Sequence, residues 1–191
     1  GWLVNTVVSK VKKMVPAYSL PQAISFKSAL RMGRGLGIKP LKVGLDDIAV
    51  LQYTGGTTGL AKGAMLTHGN LVANMQQVRA CLGQFGSDGQ PLLREGQEVM
   101  IAPLPLYHIY AFTANCMCMM VSGNHNVLIT NPRDIGGFIK ELKNWKFSAL
   151  LGLNTLFVAL MDHPDFKTLD FSHLKLTNSG GTALVKATAE R

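Results

Sequence analysis

Apolar residues recur along this chain in two rhythms. Leu3, Val4, Val7, Val8, Val11, Met14 and Val15 fall at three- and four-residue intervals, the spacing of one helical face. Lys10, Lys12 and Lys13 crowd its later turns, and Pro16 ends it, because proline removes a backbone donor and clashes with the preceding turn. A second helix is expected over residues 22–32. The run Gly33-Arg34-Gly35-Leu36-Gly37 then reads as a mobile connection, since alternate glycines cost backbone entropy to order.

From Asp46 onward, short apolar runs alternate with helical spacings. Strands are expected at residues 46–53 (the first core strand), 62–66, 99–102, 127–130, 148–153 and 174–177. Between them the pattern predicts a helix over 69–81, with Thr67 as its cap and Leu71, Val72, Met75 and Val78 facing inward. A methionine-rich buried helix is expected over 111–121. Asn131-Pro132-Arg133-Asp134 opens another through Trp145, with Ile139, Leu142 and Trp145 on its apolar face. A last helix is expected over 154–161, and 84–97 reads as polar loop. Strands alternating with helices argue for an α/β fold built on mostly parallel sheets flanked by helices. There are no internal repeats.

Composition sharpens this picture. The chain of 191 residues is 47% hydrophobic and only 16% charged, against roughly 25% charged in an ordinary soluble domain, so many strands should be buried on both faces. No apolar run reaches the roughly 18 residues needed to cross a bilayer, and no signal peptide pattern opens the chain. A cytoplasmic setting is therefore expected. Cys81, Cys116 and Cys118 show no paired metal-ligand spacing and read as structural thiols.

The net charge of +8 belongs wholly to the first 45 residues, which hold eight Lys or Arg and no acid. Such a basic arm fits nucleic acid or anionic lipid. No nucleic-acid module accompanies it, so nucleic acid is not expected as a partner. The amphipathic stretch 2–15 fits either the surface of an anionic membrane or a protein face.

The candidate chemistry centres on Tyr53-Thr54-Gly55-Gly56-Thr57-Thr58-Gly59-Leu60-Ala61-Lys62-Gly63, which follows the apolar run Ile48-Ala49-Val50-Leu51. Glycines let the backbone approach a ligand, and consecutive N–H groups converge on an anion. Threonine hydroxyls suit phosphate oxygens or magnesium, and a lysine supplies a compact charge. The plainer reading is a turn between two strands. The spacing fits neither the Walker A loop nor the dinucleotide fingerprint.

This stretch, continued through Ala64-Met65-Leu66-Thr67-His68, resembles the signature of adenylate-forming enzymes, in the version carried by bacterial long-chain fatty acid–CoA ligases. Many family members carry serine at Gly55 and proline at Ala61. Pro105-Leu106-Tyr107-His108-Ile109-Tyr110 resembles the second signature of the long-chain ligases. Asn178-Ser179-Gly180-Gly181-Thr182-Ala183-Leu184 is similar to the Gly-Gly segment of the family, which often has proline at Ala183.

The resemblance implies ATP-dependent activation of a fatty carboxylate to an acyl-adenylate, then thioester formation with coenzyme A. It implies a nucleotide site at Tyr53, Thr54, Gly55, Gly56, Thr57, Thr58, Gly59, Leu60, Ala61, Lys62, Gly63 and Ala64, with Gly180, Gly181 and Thr182. It further implies Lys62 and Thr58 in phosphate handling, Thr58 as a magnesium ligand, and His108 in orienting the carboxylate or gating an acyl tunnel. Alone, the His108 and Gly-Gly signals would read as structural.

Residues 46–191 are then expected to be the central part of the large AMP-binding N-terminal domain, and residues 1–45 a basic arm and linker. Family members are roughly three times this length. Their aromatic-Gly-x-Thr-Glu motif would follow Arg191, so the segment alone is not expected to complete the reaction. Other acyl or aryl carboxylate ligases, a nucleotide-binding module without catalysis, and a membrane- or partner-docking piece remain open. A homodimer and peripheral contact with the inner membrane face stand as further expectations.

Overall fold

The computed structural model describes residues 2–54, 62–83 and 89–191, which form two compact units, residues 1–42 and 43–191.

In the first unit α1 (Trp2–Thr6) runs into a π-helical stretch, Val7–Val11. The helix stops short of Pro16 because Lys13 takes a left-handed φ of 48°. Thr6 Oγ1 donates to Trp2 O at 3.0 Å and Ser9 Oγ to Asn5 O at 2.7 Å, contacts that compete with regular helical bonding. α2 (Phe26–Gly33) begins four residues later than the pattern predicts, because Ser25 caps it by accepting from Ser28 N.

The second unit opens with an antiparallel hairpin of β1 (Ile48–Thr54) and β2 (Lys62–Thr67). This corrects the expectation of a first core strand. β1 pairs with its sequence neighbour and stands outside the main sheet, leaving Leu51 and Tyr53 exposed. α3 (His68–Leu82) follows at once. Thr67 Oγ1 accepts from Asn70 N at 3.2 Å while Asn70 Oδ1 accepts from Thr67 N at 3.0 Å. That reciprocal capping box satisfies two donors at the helix start. Of its four expected inward residues Leu71 is buried, Met75 and Val78 are half-buried, and Val72 is exposed.

The main sheet has four parallel strands in the order β4-β3-β5-β6: β3 (Val99–Ala102), β4 (His125–Leu128), β5 (Ala149–Gly152) and β6 (Leu176–Ser179). β3 and β5 are almost wholly buried, as strands covered on both faces must be. Their side chains alternate between two cores. Ile101, Leu150 and Val127 meet Phe138, Ile139, Leu142 and Leu160, contributed by α5 (Ile135–Leu142) and α6 (Asn154–Asp162). Met100, Ala149 and Leu151 meet Cys118 and Met119, with Met75, Val78 and Tyr110 alongside.

Pairing moves several expected boundaries. β4 starts at His125 because His125 N donates to Glu98 O. β6 starts two residues late because Lys175 N and Leu176 N both donate to Ser148 O. α5 starts after Asp134, whose carboxylate accepts from Gly137 N at 3.0 Å.

The methionine-rich helix is α4 (Ile109–Ala111) continued as a π-helical stretch, Phe112–Met119. There the Asn115 carbonyl accepts from Asn126 Nδ2 at 3.0 Å, and Asn115 Nδ2 donates to Asn126 Oδ1 at 2.9 Å. Such π-helical turns occur as local insertions within α-helices. The remaining elements are a 3₁₀ turn, Pro164–Thr168, and α7 (Lys186–Glu190).

A buried carboxylate joins the sheet to the loop before it. Glu98 is 3% exposed. It accepts from Lys175 Nζ at 2.7 Å, from Arg94 N at 2.9 Å and from Arg94 Nε at 3.1 Å. Burial pushes its pKa up, but the bonds from Lys175, the Arg94 amide, Ser148 and the Arg94 guanidinium outweigh it and bring the pKa down to about 2.

Candidate functional site

Thr54 and Lys62 stand opposite each other in the hairpin register, with Tyr53 opposite Gly63 and Gln52 opposite Ala64. They form the mouth of the glycine- and threonine-rich loop. The loop itself, Gly55, Gly56, Thr57, Thr58, Gly59, Leu60 and Ala61, lies outside the described residues. At the mouth the Tyr53 ring crosses over Gly63, where a Cβ would sit 3.4 Å from two ring carbons. The chain enters α3 beside the segment before β1, with Gly69 N donating to Leu45 O at 2.7 Å and His68 N to Asp47 O at 3.0 Å.

The second and third motifs meet at the carboxyl end of the main sheet, where ligands bind in open α/β sheets. His108 caps α4, and its Nδ1 accepts from Tyr110 N at 3.2 Å. With Nδ1 accepting, the ring proton of neutral His108 is assigned to Nε2. The side chain is exposed.

Two residues on, Tyr110 reaches across to β6. Its hydroxyl bonds to the Asn178 side-chain oxygen and donates to Asn178 O at 3.1 Å. Burial pushes the Tyr110 phenol up to about 12. Its ring covers Gly180, where a Cβ would lie 2.7 Å away, nearer than the site tolerates. Gly180 N donates to Gly152 O at 3.2 Å, which fixes the turn to the end of β5. Gly181 follows at φ 77°, a left-handed conformation that favours glycine. Thr182 is exposed beyond it.

Two cavities flank Tyr110. One of about 300 Å³ is lined by Leu66, Asn70, Leu71, Asn74, Ile109, Tyr110 and Thr113, so the hairpin, α3 and α4 share it. The other, about 230 Å³, is lined by Met100, Ala114, Leu151 and Leu176, together with Tyr110 and Asn178. Asn178 is the residue sequence reasoning passed over. Only its place at the head of the Gly-Gly segment pointed to it. Among the described residues, no group of three or more His, Cys, Asp or Glu side chains could hold a metal.

The AMP-binding enzyme family matches residues 4–191. The long-chain-fatty-acid–CoA ligase of Salmonella typhimurium is 50% identical over 191 residues, and that of Escherichia coli O157:H7 52% identical over 192. Each alignment covers 100% of this chain and 33% of the relative, so the chain spans about a third of the length of these proteins.

Solved structures agree on the fold. The inhibitor-bound N-terminal domain of FACL13 from Mycobacterium tuberculosis has a TM-score of 0.70 at 19% identity, covering 96% of this chain and 45% of that one. A long-chain-fatty-acid-CoA ligase (FadD1) from Archaeoglobus fulgidus has a TM-score of 0.58 at 26% identity, covering 76% and 27%.

Proposed function

Because this chain belongs to the AMP-binding enzyme family, we propose that the full-length protein activates a long-chain fatty acid with ATP and passes the acyl group to coenzyme A. The observation that carries this reading is the contact of Tyr110 with Gly180. It joins the second motif to the Gly-Gly segment at the ligand-binding end of the sheet, with an apolar cavity directly behind. The identity to fatty-acid ligases along the whole chain supports the choice of substrate. Residues 46–191 act in this reading as the central part of the nucleotide-binding domain, and residues 1–45 as a basic arm.

A fatty carboxylate oxygen attacks the α-phosphate of ATP and pyrophosphate leaves. The coenzyme A thiol then displaces AMP from the acyl carbonyl, losing its proton as the thioester forms. Backbone N–H groups of Gly55 to Gly59, the hydroxyls of Thr57 and Thr58, and Lys62 hold the departing phosphates where charge develops. Tyr53, Thr54, Leu60, Ala61, Gly63 and Ala64 frame that loop, while Gly180, Gly181 and Thr182 border the adenylate. His108 Nε2–H orients the carboxylate.

Magnesium takes few protein ligands beside substrate phosphates. The Thr58 hydroxyl suits such a donor set. When bound, the ion supplies charge neutralisation at the phosphates. A cytoplasmic enzyme touching the inner membrane face peripherally fits the basic arm, and no helix among the described residues is long and apolar enough to cross a membrane.

ATP–pyrophosphate exchange with palmitate, on the full-length protein, tests the reading. Palmitate-dependent exchange that is lost in Lys62→Ala and Thr58→Ala is expected. Exchange only with an unrelated carboxylate would overturn the substrate, and none with any carboxylate would overturn the chemistry.

A further inference from the structure

Tyr110 is tied at both of its ends. Its backbone N–H donates to His108 Nδ1 at 3.2 Å, and its hydroxyl bonds to the backbone and side-chain oxygens of Asn178 on β6. One residue thus stands between the His108 ring and the end of the sheet. The backbone of His108 is held as well, with His108 N donating to Pro105 O at 2.9 Å and Phe112 N to His108 O at 2.8 Å. Ile109–Ala111 form the first turn of the helical segment that follows. A first turn is the least restrained part of a helix, since its donors lack intrahelical partners, so contacts from outside set its direction.

A tyrosine hydroxyl has a single proton to donate, and the backbone oxygen of Asn178 at 3.1 Å could take it unaided. Alanine at this position would keep that carbonyl. The asparagine side chain adds a second oxygen on the hydroxyl, and with it a fixed direction for the phenol. β6 holds that oxygen in place. Asn178 lies opposite Leu151 in the parallel register with β5, and just beyond it Gly180 N donates to Gly152 O at 3.2 Å. The anchor therefore sits on the rigid sheet, where a group is placed more accurately than on a loop.

We propose that Asn178 is a positioning residue for acyl-adenylate formation: through the Tyr110 hydroxyl it holds the His108 ring, and so the direction of Nε2–H, against the Gly180-Gly181 turn. Asn178 touches no reacting atom in this role and acts through Tyr110 and His108. The carboxylate oriented by His108 and the adenylate bordered by Gly180 must meet in one geometry, and a misplacement of about 1 Å costs about a hundredfold in rate. Two hydrogen bonds leading from β6 to the imidazole remove that freedom. This inference rests on the fatty-acid reading above and adds how its carboxylate-orienting group is held.

The test is palmitate-dependent ATP–pyrophosphate exchange in the full-length protein, with kcat and the KM for ATP measured separately in Asn178→Ala, His108→Ala and the double variant. Asn178→Ala is expected to lower kcat about tenfold, the effect of a fraction of an ångström of misplacement, with the KM for ATP within about twofold of wild type. In the His108→Ala background the same substitution is expected to cost less than about twofold, because the group it positions is already gone. A purely structural role would cost the same in both backgrounds. Equal losses, an unchanged kcat in Asn178→Ala, or a His108→Ala variant as active as wild type each overturn the proposal while leaving the ligase reading intact. If Asn178→Ala does not fold, Tyr110→Phe, which keeps the ring over Gly180, takes its place in the same cycle and decides by the same outcomes. Absence of exchange with every carboxylate in the wild type would instead defeat the underlying reading.

Discussion

The ring of Tyr110 occupies the space into which a side chain at residue 180 would project: a Cβ on Gly180 would come within 2.7 Å of it. With the hydroxyl held by Asn178, swinging the ring aside would cost that bond.

Gly180→Ala is therefore expected to destabilise the protein by about 1–3 kcal/mol, the usual range for overpacking. Denaturant unfolding measures it. In a double-mutant cycle, Tyr110→Leu should recover part of the loss. Additive effects of the two substitutions would show that the contact is not the cause.

Tyr110→Phe keeps the ring and removes the hydroxyl. Asn178 then loses its partner, at an expected cost of about 0.5–1.5 kcal/mol for a hydrogen bond. The phenol also carries a pH dependence. Its pKa rises from 10.0 to about 12 on folding, so the protonated form is favoured in the native state. That stability is fully present below pH 10 and lost as pH rises through 12. Unfolding followed between pH 9 and 12 should fall less steeply in Tyr110→Phe than in wild type.

Glu98 works in the opposite sense. Its carboxyl goes from 4.5 to about 2 on folding, so its contribution is present above pH 4.5 and lost as pH falls toward 2. Glu98→Gln should flatten the acid limb of stability. At neutral pH it should cost about 1–3 kcal/mol, because the charge-assisted bonds to Lys175 and Arg94 are lost while both partly exposed cations keep contact with water. Thermal melts from pH 2 to 7 check both statements.

The basic arm gives a prediction separate from the chemistry. Trp2, Leu3, Val4 and Val11 are exposed in the first unit, beside Lys10, Lys12 and Lys13. Flotation with vesicles rich in phosphatidylglycerol is expected to carry the full-length protein, with binding that weakens in salt and fails when the three lysines become glutamate. Each lysine near an anionic surface contributes about 1 kcal/mol. Binding to neutral vesicles that ignores salt would contradict this.

Much of the second unit was legible beforehand. The apolar run 99–102 was a buried strand in both readings because alternate residues feed two cores, Ile101 one and Met100 the other. Thr67 announced the start of α3 because its side chain and the Asn70 side chain satisfy donors within three residues of each other. The partnership of β1 was not legible. An apolar run looks alike whether it joins a parallel sheet or a local hairpin, and only pairing with Lys62–Thr67 decides. The π-helical stretch was hidden for a similar reason, since the Asn115–Asn126 pair that accompanies it spans two elements.

The sequence by itself determined the α/β alternation and the family, because each is written in residue types at fixed local spacings. Tertiary structure alone decided that Tyr110 bolts onto Asn178 over a side-chain-free Gly180, and that Met119 and Leu151 line one cavity. Both depend on residues far apart in sequence being brought within contact distance, and no local pattern carries that information.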